Sequence, residues 1–74
     1  MARLIRLDRT GHTTLAEWTA GDEAARARAA TELERELERG MIASATGPDG
    51  TAEVVRELPL DAELVIMRRP IAGG

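Results

Sequence analysis

The sequence contains no cysteine, lysine, phenylalanine or tyrosine, and it has one histidine and one tryptophan. Without cysteine, disulfides, zinc sites with thiolate ligands and iron–sulfur clusters are excluded, and one histidine cannot form a histidine-cluster metal site. No apolar run reaches membrane-spanning length, and no signal-peptide segment follows Met1. We therefore expect a soluble cytoplasmic protein with no metal, no bound cofactor and no membrane partner.

The apolar residues are too few and too small for more than one core. The chain has 74 residues, of which 13 are alanine and 15 are leucine, isoleucine or valine. One small domain is the expected organisation. A catalytic cleft cut into so small a core would remove much of its stability, so the composition argues against an enzyme.

All ten basic residues are arginine, and 13 acidic residues give a net charge of −3. This acidic balance, with no basic cluster along the sequence, argues against nucleic-acid binding. The absence of lysine has two explanations. A GC-rich genome favours arginine over lysine, and a protein that handles an activated acyl group would risk modifying its own lysine amines.

Alternating apolar residues and turn signals predict five strands and one helix. Leu64 to Met67 are apolar on both faces, as is typical of a strand in the middle of a sheet. Pro70 ends that strand because it has no N–H for the ladder. The predicted order is strand 2–8, strand 12–18, helix 23–39, segment 41–46, strand 51–58 and strand 63–69.

The helix is the most clearly patterned element. Residues 23–39 are alanine, glutamate, arginine and leucine with one threonine, mostly strong helix formers. Thr19 or Asp22 is suited to the N-cap, and Gly40 to the C-terminal stop. An apolar residue recurs every fourth position and predicts the buried stripe. The stripe is Ala25, Ala29, Leu33, Leu37 and Met41, with Ala30 beside it.

This order, β-β-α-β-β-β, predicts an α+β domain in which one helix covers one face of a small mixed sheet. The first and last strands are the most apolar, so we expect them to be parallel neighbours at its centre, which is the β-grasp arrangement. Residues 1–69 would form this domain and residues 70–74 an extended tail. The predicted shared core is Ile5, Leu7, Leu33, Leu37, Leu64 and Ile66.

The interior offers little chemistry. His12 has no serine, cysteine or second histidine as a partner in the sequence, so a solvated histidine is expected rather than a catalytic base. Trp18 is expected in the core, with an exposed partner anchor as the alternative. The helix glutamates are expected on its solvated face and no catalytic residue is predicted. These glutamates are Glu32, Glu34, Glu36 and Glu38.

The informative feature is the end of the sequence, where Gly73 and Gly74 follow a short extended segment. Glycine has no Cβ, so such a tail passes through a narrow channel and presents its carboxylate to an adenylating enzyme. A frayed terminus that merely tolerates glycine is the alternative.

Residues 64–74, LVIMRRPIAGG, resemble the end of ubiquitin-like β-grasp proteins, above all the bacterial sulfur carriers of the thiamine and molybdopterin pathways. Those carriers end in an apolar strand, a segment with proline or valine, and Ala-Gly-Gly. In ubiquitin-type modifiers the tail before Gly-Gly carries arginine, as Arg68 and Arg69 do here. The helix is longer than is usual in sulfur carriers.

The resemblance implies a carrier rather than an enzyme. A partner activating enzyme would use ATP to adenylate the carboxylate of Gly74. With a sulfurtransferase the tail would become a thiocarboxylate, and with a conjugating enzyme it would become an amide on a target lysine. Gly73 and Gly74 would enter the partner's active site, and the tail base would be gripped by the partner. The residues implied in partner binding are Arg68, Arg69, Pro70, Ile71 and Ala72.

Two other classes of function remain open. One is a non-catalytic structural or assembly protein, such as a small phage or capsid component, that uses the β-grasp surface for pairing. The other is a small antitoxin or adaptor domain. The sequence alone does not separate a sulfur carrier from a protein modifier.

Overall fold

In the part of the chain that a computed structural model describes, five strands form one sheet and one helix lies against it. The structure describes residues 1–47, 49–59 and 62–70. The elements are β1 (Ala2–Asp8), β2 (Gly11–Trp18), α1 (Glu23–Glu38), β3 (Ile42–Thr46), β4 (Ala52–Val55) and β5 (Leu64–Arg68).

The strand order is β2-β1-β5-β3-β4, so β5 is the middle strand. β5 runs parallel to β1 and antiparallel to β3, and the outer pairs β1–β2 and β3–β4 are antiparallel. The predicted parallel neighbours at the centre are therefore confirmed. This α+β architecture, one helix on a five-stranded mixed sheet, is compatible with a β-grasp-like order.

Local sequence sets both ends of α1. Asp22 is the N-cap: its carboxylate accepts a hydrogen bond from the Ala25 backbone N–H at 3.0 Å. At the other end Gly40 has a φ of +88°, and its N–H donates to Leu37 O at 3.0 Å. The Met41 N–H donates to Glu36 O at 3.0 Å, which completes a Schellman motif.

Gly40→Ala is expected to lower the free energy of unfolding by about 1 kcal/mol, because an L side chain is strained at this positive φ. No atom beyond the neighbouring residues lies within 4 Å of the added Cβ, so the expected loss comes from backbone strain and not from a clash. Gly47, which is not in the positive-φ region, provides the control. Urea denaturation should show Gly47→Ala within about 0.5 kcal/mol of the parent. Equal losses at the two sites would contradict the role of Gly40.

The core lies between α1 and one face of the sheet. It is rich in alanine, so the helix packs close to the strands, and Trp18 supplies its only aromatic side chain. Leu37 is half-buried at its edge. The buried members of the core are Leu4, Trp18, Ala25, Ala29, Leu33, Ala43, Ala45, Leu58, Ala62, Val65 and Met67.

The predicted core was only partly right in β1 and β5: Ile5 is buried at 9% exposure, Leu7 is exposed, and Leu64 and Ile66 are half-buried. Leu4 and Val65 face the helix, so their neighbours Ile5 and Ile66, which pair with each other, face the opposite side. Both strands carry apolar residues at odd and even positions, so alternation alone could not choose the inner set. Arg6 lies on the helix side of β1, where a hydrophobic pattern would not predict an arginine. It is accommodated there because its guanidinium group pairs with the buried carboxylate of Glu36 on α1.

Candidate functional site

The predicted partner-binding residues begin at the end of the middle strand. Arg68 is the last residue of β5, Arg69 and Pro70 follow it, and all three are exposed. The rest of the predicted site, residues 71–74, lies outside the described residues, and so does most of the predicted tail. The structure therefore gives the base of the tail, which leaves from the centre of the sheet.

An open groove of about 1300 Å³ adjoins the base of the tail. Because β1 and β5 are parallel, both end at the same edge of the sheet. The C-terminus of α1 reaches that edge as well. The groove is lined by residues 6–10, 36, 39–41 and 68–70, and we refer to it as the arginine groove.

Glu36 lies under the arginine groove and is only 2% exposed. Its Oε1 accepts a hydrogen bond from Arg6 at 3.0 Å, and its Oε2 accepts one from Arg39 at 3.2 Å. The expectation that Glu36 belongs to the solvated face of α1 was wrong. A carboxylate without partners would not be buried here, and the two guanidinium groups compensate its lost hydration.

The β1–β2 turn also lines the arginine groove. Asp8 Oδ1 accepts hydrogen bonds from the Thr10 hydroxyl at 2.8 Å and the Thr10 backbone N–H at 2.9 Å. These two hydrogen bonds lower the pKa of Asp8 below its ordinary value, and the bond from the hydroxyl makes the larger contribution. A weaker contribution comes from the Thr13 hydroxyl, 3.5 Å from Oδ2.

Thr10→Ala is expected to raise the pKa of Asp8 toward its ordinary value, because the mutation removes the hydroxyl that lowers it most. Carbon-detected NMR titration of the Asp8 carboxyl measures this directly. Since the pKa is lower in the folded chain than in the unfolded one, the ionised carboxylate favours folding. That contribution is present above the ordinary pKa and is lost as the pH falls through the lowered value. Thr13→Ala should move the pKa less, and the reverse order would contradict this assignment.

Charge is distributed unevenly between the arginine groove and the rest of the chain. The groove contains five of the ten arginines and two of the 13 acidic residues, an excess of three positive charges. Its arginines are Arg6, Arg9, Arg39, Arg68 and Arg69. The sequence showed no basic cluster because these residues come from three separate segments.

The other residues singled out by the sequence carry no reactive arrangement. His12 is exposed on β2, and Trp18 is 5% exposed within the core, as expected. Within residues 1–47, 49–59 and 62–70, no three histidine or acidic side chains are grouped as a metal site would require. Helix α1 is not of a length or hydropathy that would cross a bilayer.

The sheet face opposite α1 carries an apolar row. Pairing across the strands places Ile5, Ile66, Ser44 and Val54 side by side, with Ser44 as the polar member and Ile5 only 9% exposed. Val54 is 67% exposed, and Leu7, further along β1 on the same face, is 44% exposed. No described element covers this face.

Comparison of the chain with protein-family models, with curated proteins and with solved structures returned no match in any of the three.

Proposed function

We propose that this protein is a ubiquitin-like carrier whose Gly74 carboxylate is activated by a partner enzyme and then transferred. Activation forms an acyl-adenylate from the carboxylate and ATP, with pyrophosphate as the leaving group. A sulfur nucleophile or a target amine then displaces AMP. The product is a thiocarboxylate or a protein conjugate, respectively.

The observation that carries the proposal is the position of the tail. Arg68, Arg69 and Pro70 are exposed and leave the middle strand of a mixed sheet, parallel to its first strand. In sequence they lead directly to Gly73 and Gly74. A tail anchored in this way is held firmly at its base, and its two glycines add no side chains that would obstruct a narrow channel.

The absence of lysine is consistent with both fates of the activated tail. An acyl-adenylate or thioester reacts with amines, so a carrier without lysine offers no side-chain amine for self-modification. It also offers no side chain on which conjugates could be built into polymers. The composition therefore supports a carrier without choosing between sulfur delivery and protein tagging.

The experiment is mass spectrometry of the chain recovered from its source cells through an internal affinity tag placed at the 49–51 turn. A sulfur carrier should show an increase equal to the mass difference between sulfur and oxygen, located at Gly74. A protein modifier should instead appear as an isopeptide between Gly74 and a lysine of a target. Recovery of the unmodified chain alone, from cells that contain active adenylating enzymes, would count against both fates.

A second candidate function is that of a structural or assembly protein. The observation that favours it is the uncovered apolar row on the sheet, where Val54 and Leu7 are substantially exposed. Under this alternative the sheet face would be needed for function and Gly74 would be dispensable. Val54→Asp would then abolish the biological role, and removal of the two glycines would leave it intact.

A further inference from the structure

We propose that the arginine groove binds an acidic segment of a protein partner that also inserts an apolar side chain. The inference rests on the proposed function for its biological setting, since the groove adjoins the base of the tail. It adds the chemistry of the partner surface and three residues that the tail alone does not include, Arg6, Arg9 and Arg39.

Hydrogen-bond donors in the arginine groove exceed the acceptors that the protein itself supplies. Each guanidinium group has five N–H donors. The hydrogen bonds to Glu36 use one N–H of Arg6 and one of Arg39. Arg9, Arg68 and Arg69 form no ion pair within the described part of the chain. The unused donors suit carboxylates, which accept paired hydrogen bonds from arginine.

Two features preorganise the arginine groove before any partner arrives. Buried Glu36 holds Arg6 and Arg39 on one carboxylate, at 3.0 and 3.2 Å. The Schellman motif fixes the backbone of Arg39, Gly40 and Met41 at the end of α1. Side chains that are already held in place lose less entropy on binding, so these contacts favour affinity.

Three apolar residues also line the arginine groove. Leu7 is 44% exposed, Met41 is half-buried, and Pro70 is exposed at the tail base. Arginine and methionine are both enriched at protein interfaces, where an apolar contact is surrounded by charged hydrogen bonds. The combination therefore suits a peptide with carboxylates on either side of one apolar residue.

A nucleic acid fits the surface less well than an acidic protein segment. The one aromatic residue, Trp18, is 5% exposed within the core, so it offers no stacking platform for bases. Outside the groove the chain has eleven acidic residues and only five arginines. This excess of negative charge repels an extended polyanion. A short acidic segment would meet the groove and avoid the rest of the surface.

The test uses the full chain and a fluorescent peptide in which Asp-Glu pairs flank a single leucine, with fluorescence anisotropy as the readout. The matched probes are the same peptide with Asn-Gln pairs and a single-stranded DNA oligonucleotide of equal charge. We expect the acidic peptide to bind, the amide peptide to bind at least about tenfold more weakly, and added salt to weaken binding. In the NMR spectrum, peptide-induced shifts should lie in residues 6–10, 39–41 and 68–70.

Matched charge reversals locate the binding site. Arg68→Glu with Arg69→Glu should weaken peptide binding by about tenfold or more. Arg28→Glu with Arg35→Glu, which changes the net charge equally on the exposed side of α1, should weaken it less than about threefold. Thermal unfolding of both double variants should confirm that they remain folded.

Equal losses in the two double variants, equal binding of the amide peptide, or tighter binding of the DNA would each overturn the inference. If the groove does not bind the peptide, modification at Gly74 is still detected by mass spectrometry. If Gly74 is never modified, the groove still binds the peptide. The failure of the inference and the failure of the proposed function are therefore distinguishable.

Discussion

Deletion of Gly73 and Gly74 is expected to abolish transfer of the acyl group completely while leaving the domain folded. The reacting carboxylate would move to Ala72, two residues closer to the sheet, and would not reach an active site entered through a narrow channel. No member of the described core lies beyond Met67, so the deletion leaves the described core packing in place. Mass spectrometry for the thiocarboxylate or conjugate, with thermal unfolding alongside, measures both parts.

Gly74→Ala provides the graded control for the deletion. It keeps the length of the tail and adds one methyl group next to the reacting carboxylate. We expect transfer to fall by up to about a hundredfold, because small displacements of a reacting group are costly in rate. A truncated chain that supports its biological role as well as the full one would reject the carrier proposal and favour the structural alternative.

Leu33→Ala is expected to lower the free energy of unfolding by about 2–5 kcal/mol, the range for a leucine deleted from a close-packed core. Leu33 is 1% exposed and lies between α1 and the sheet. A domain of 74 residues has a total stability of only about 4–11 kcal/mol. The variant is therefore expected to be near its unfolding transition at room temperature, as urea denaturation would show.

Two further leucines test the position of the core. Leu37→Ala should cost less than Leu33→Ala, because Leu37 is half-buried at the core's edge. Leu7→Ala should cost less than about 1 kcal/mol, because that side chain is 44% exposed on the opposite face of the sheet. A larger loss at Leu7 than at Leu33 would restore the core predicted from alternation and contradict the observed register.

Most of the elements could be predicted from local pattern. Residues 2–8 were predicted as a strand with the observed bounds, and the helix was placed within one residue at its C-terminal end. The N-cap was left between Thr19 and Asp22, and the structure shows Asp22. The strand at 51–58 was predicted too long, since β4 spans Ala52–Val55.

The sequence also specified the centre of the sheet. A strand that is apolar on both faces buries less apolar surface at the edge of a sheet than in the middle, so residues 64–67 were predicted to be central. The chain passes from β1 through the β1–β2 hairpin, the α1 crossover and the β3–β4 hairpin before β5 pairs in parallel with β1. Whether Gly74 reacts as its resemblance to ubiquitin-like proteins implies stays a prediction.

What the sequence by itself determined was the kind and order of the elements and the parallel central pair, because these follow from residue periodicity, caps and breakers. Only the tertiary structure decided which face of β1 and β5 meets the helix, because both faces are apolar. The burial of Glu36 and the assembly of the arginine groove likewise depend on residues far apart in sequence, such as Arg6 and Arg39. Their charges acquire partners and a common surface only when β1, β5 and the end of α1 meet at one edge of the sheet.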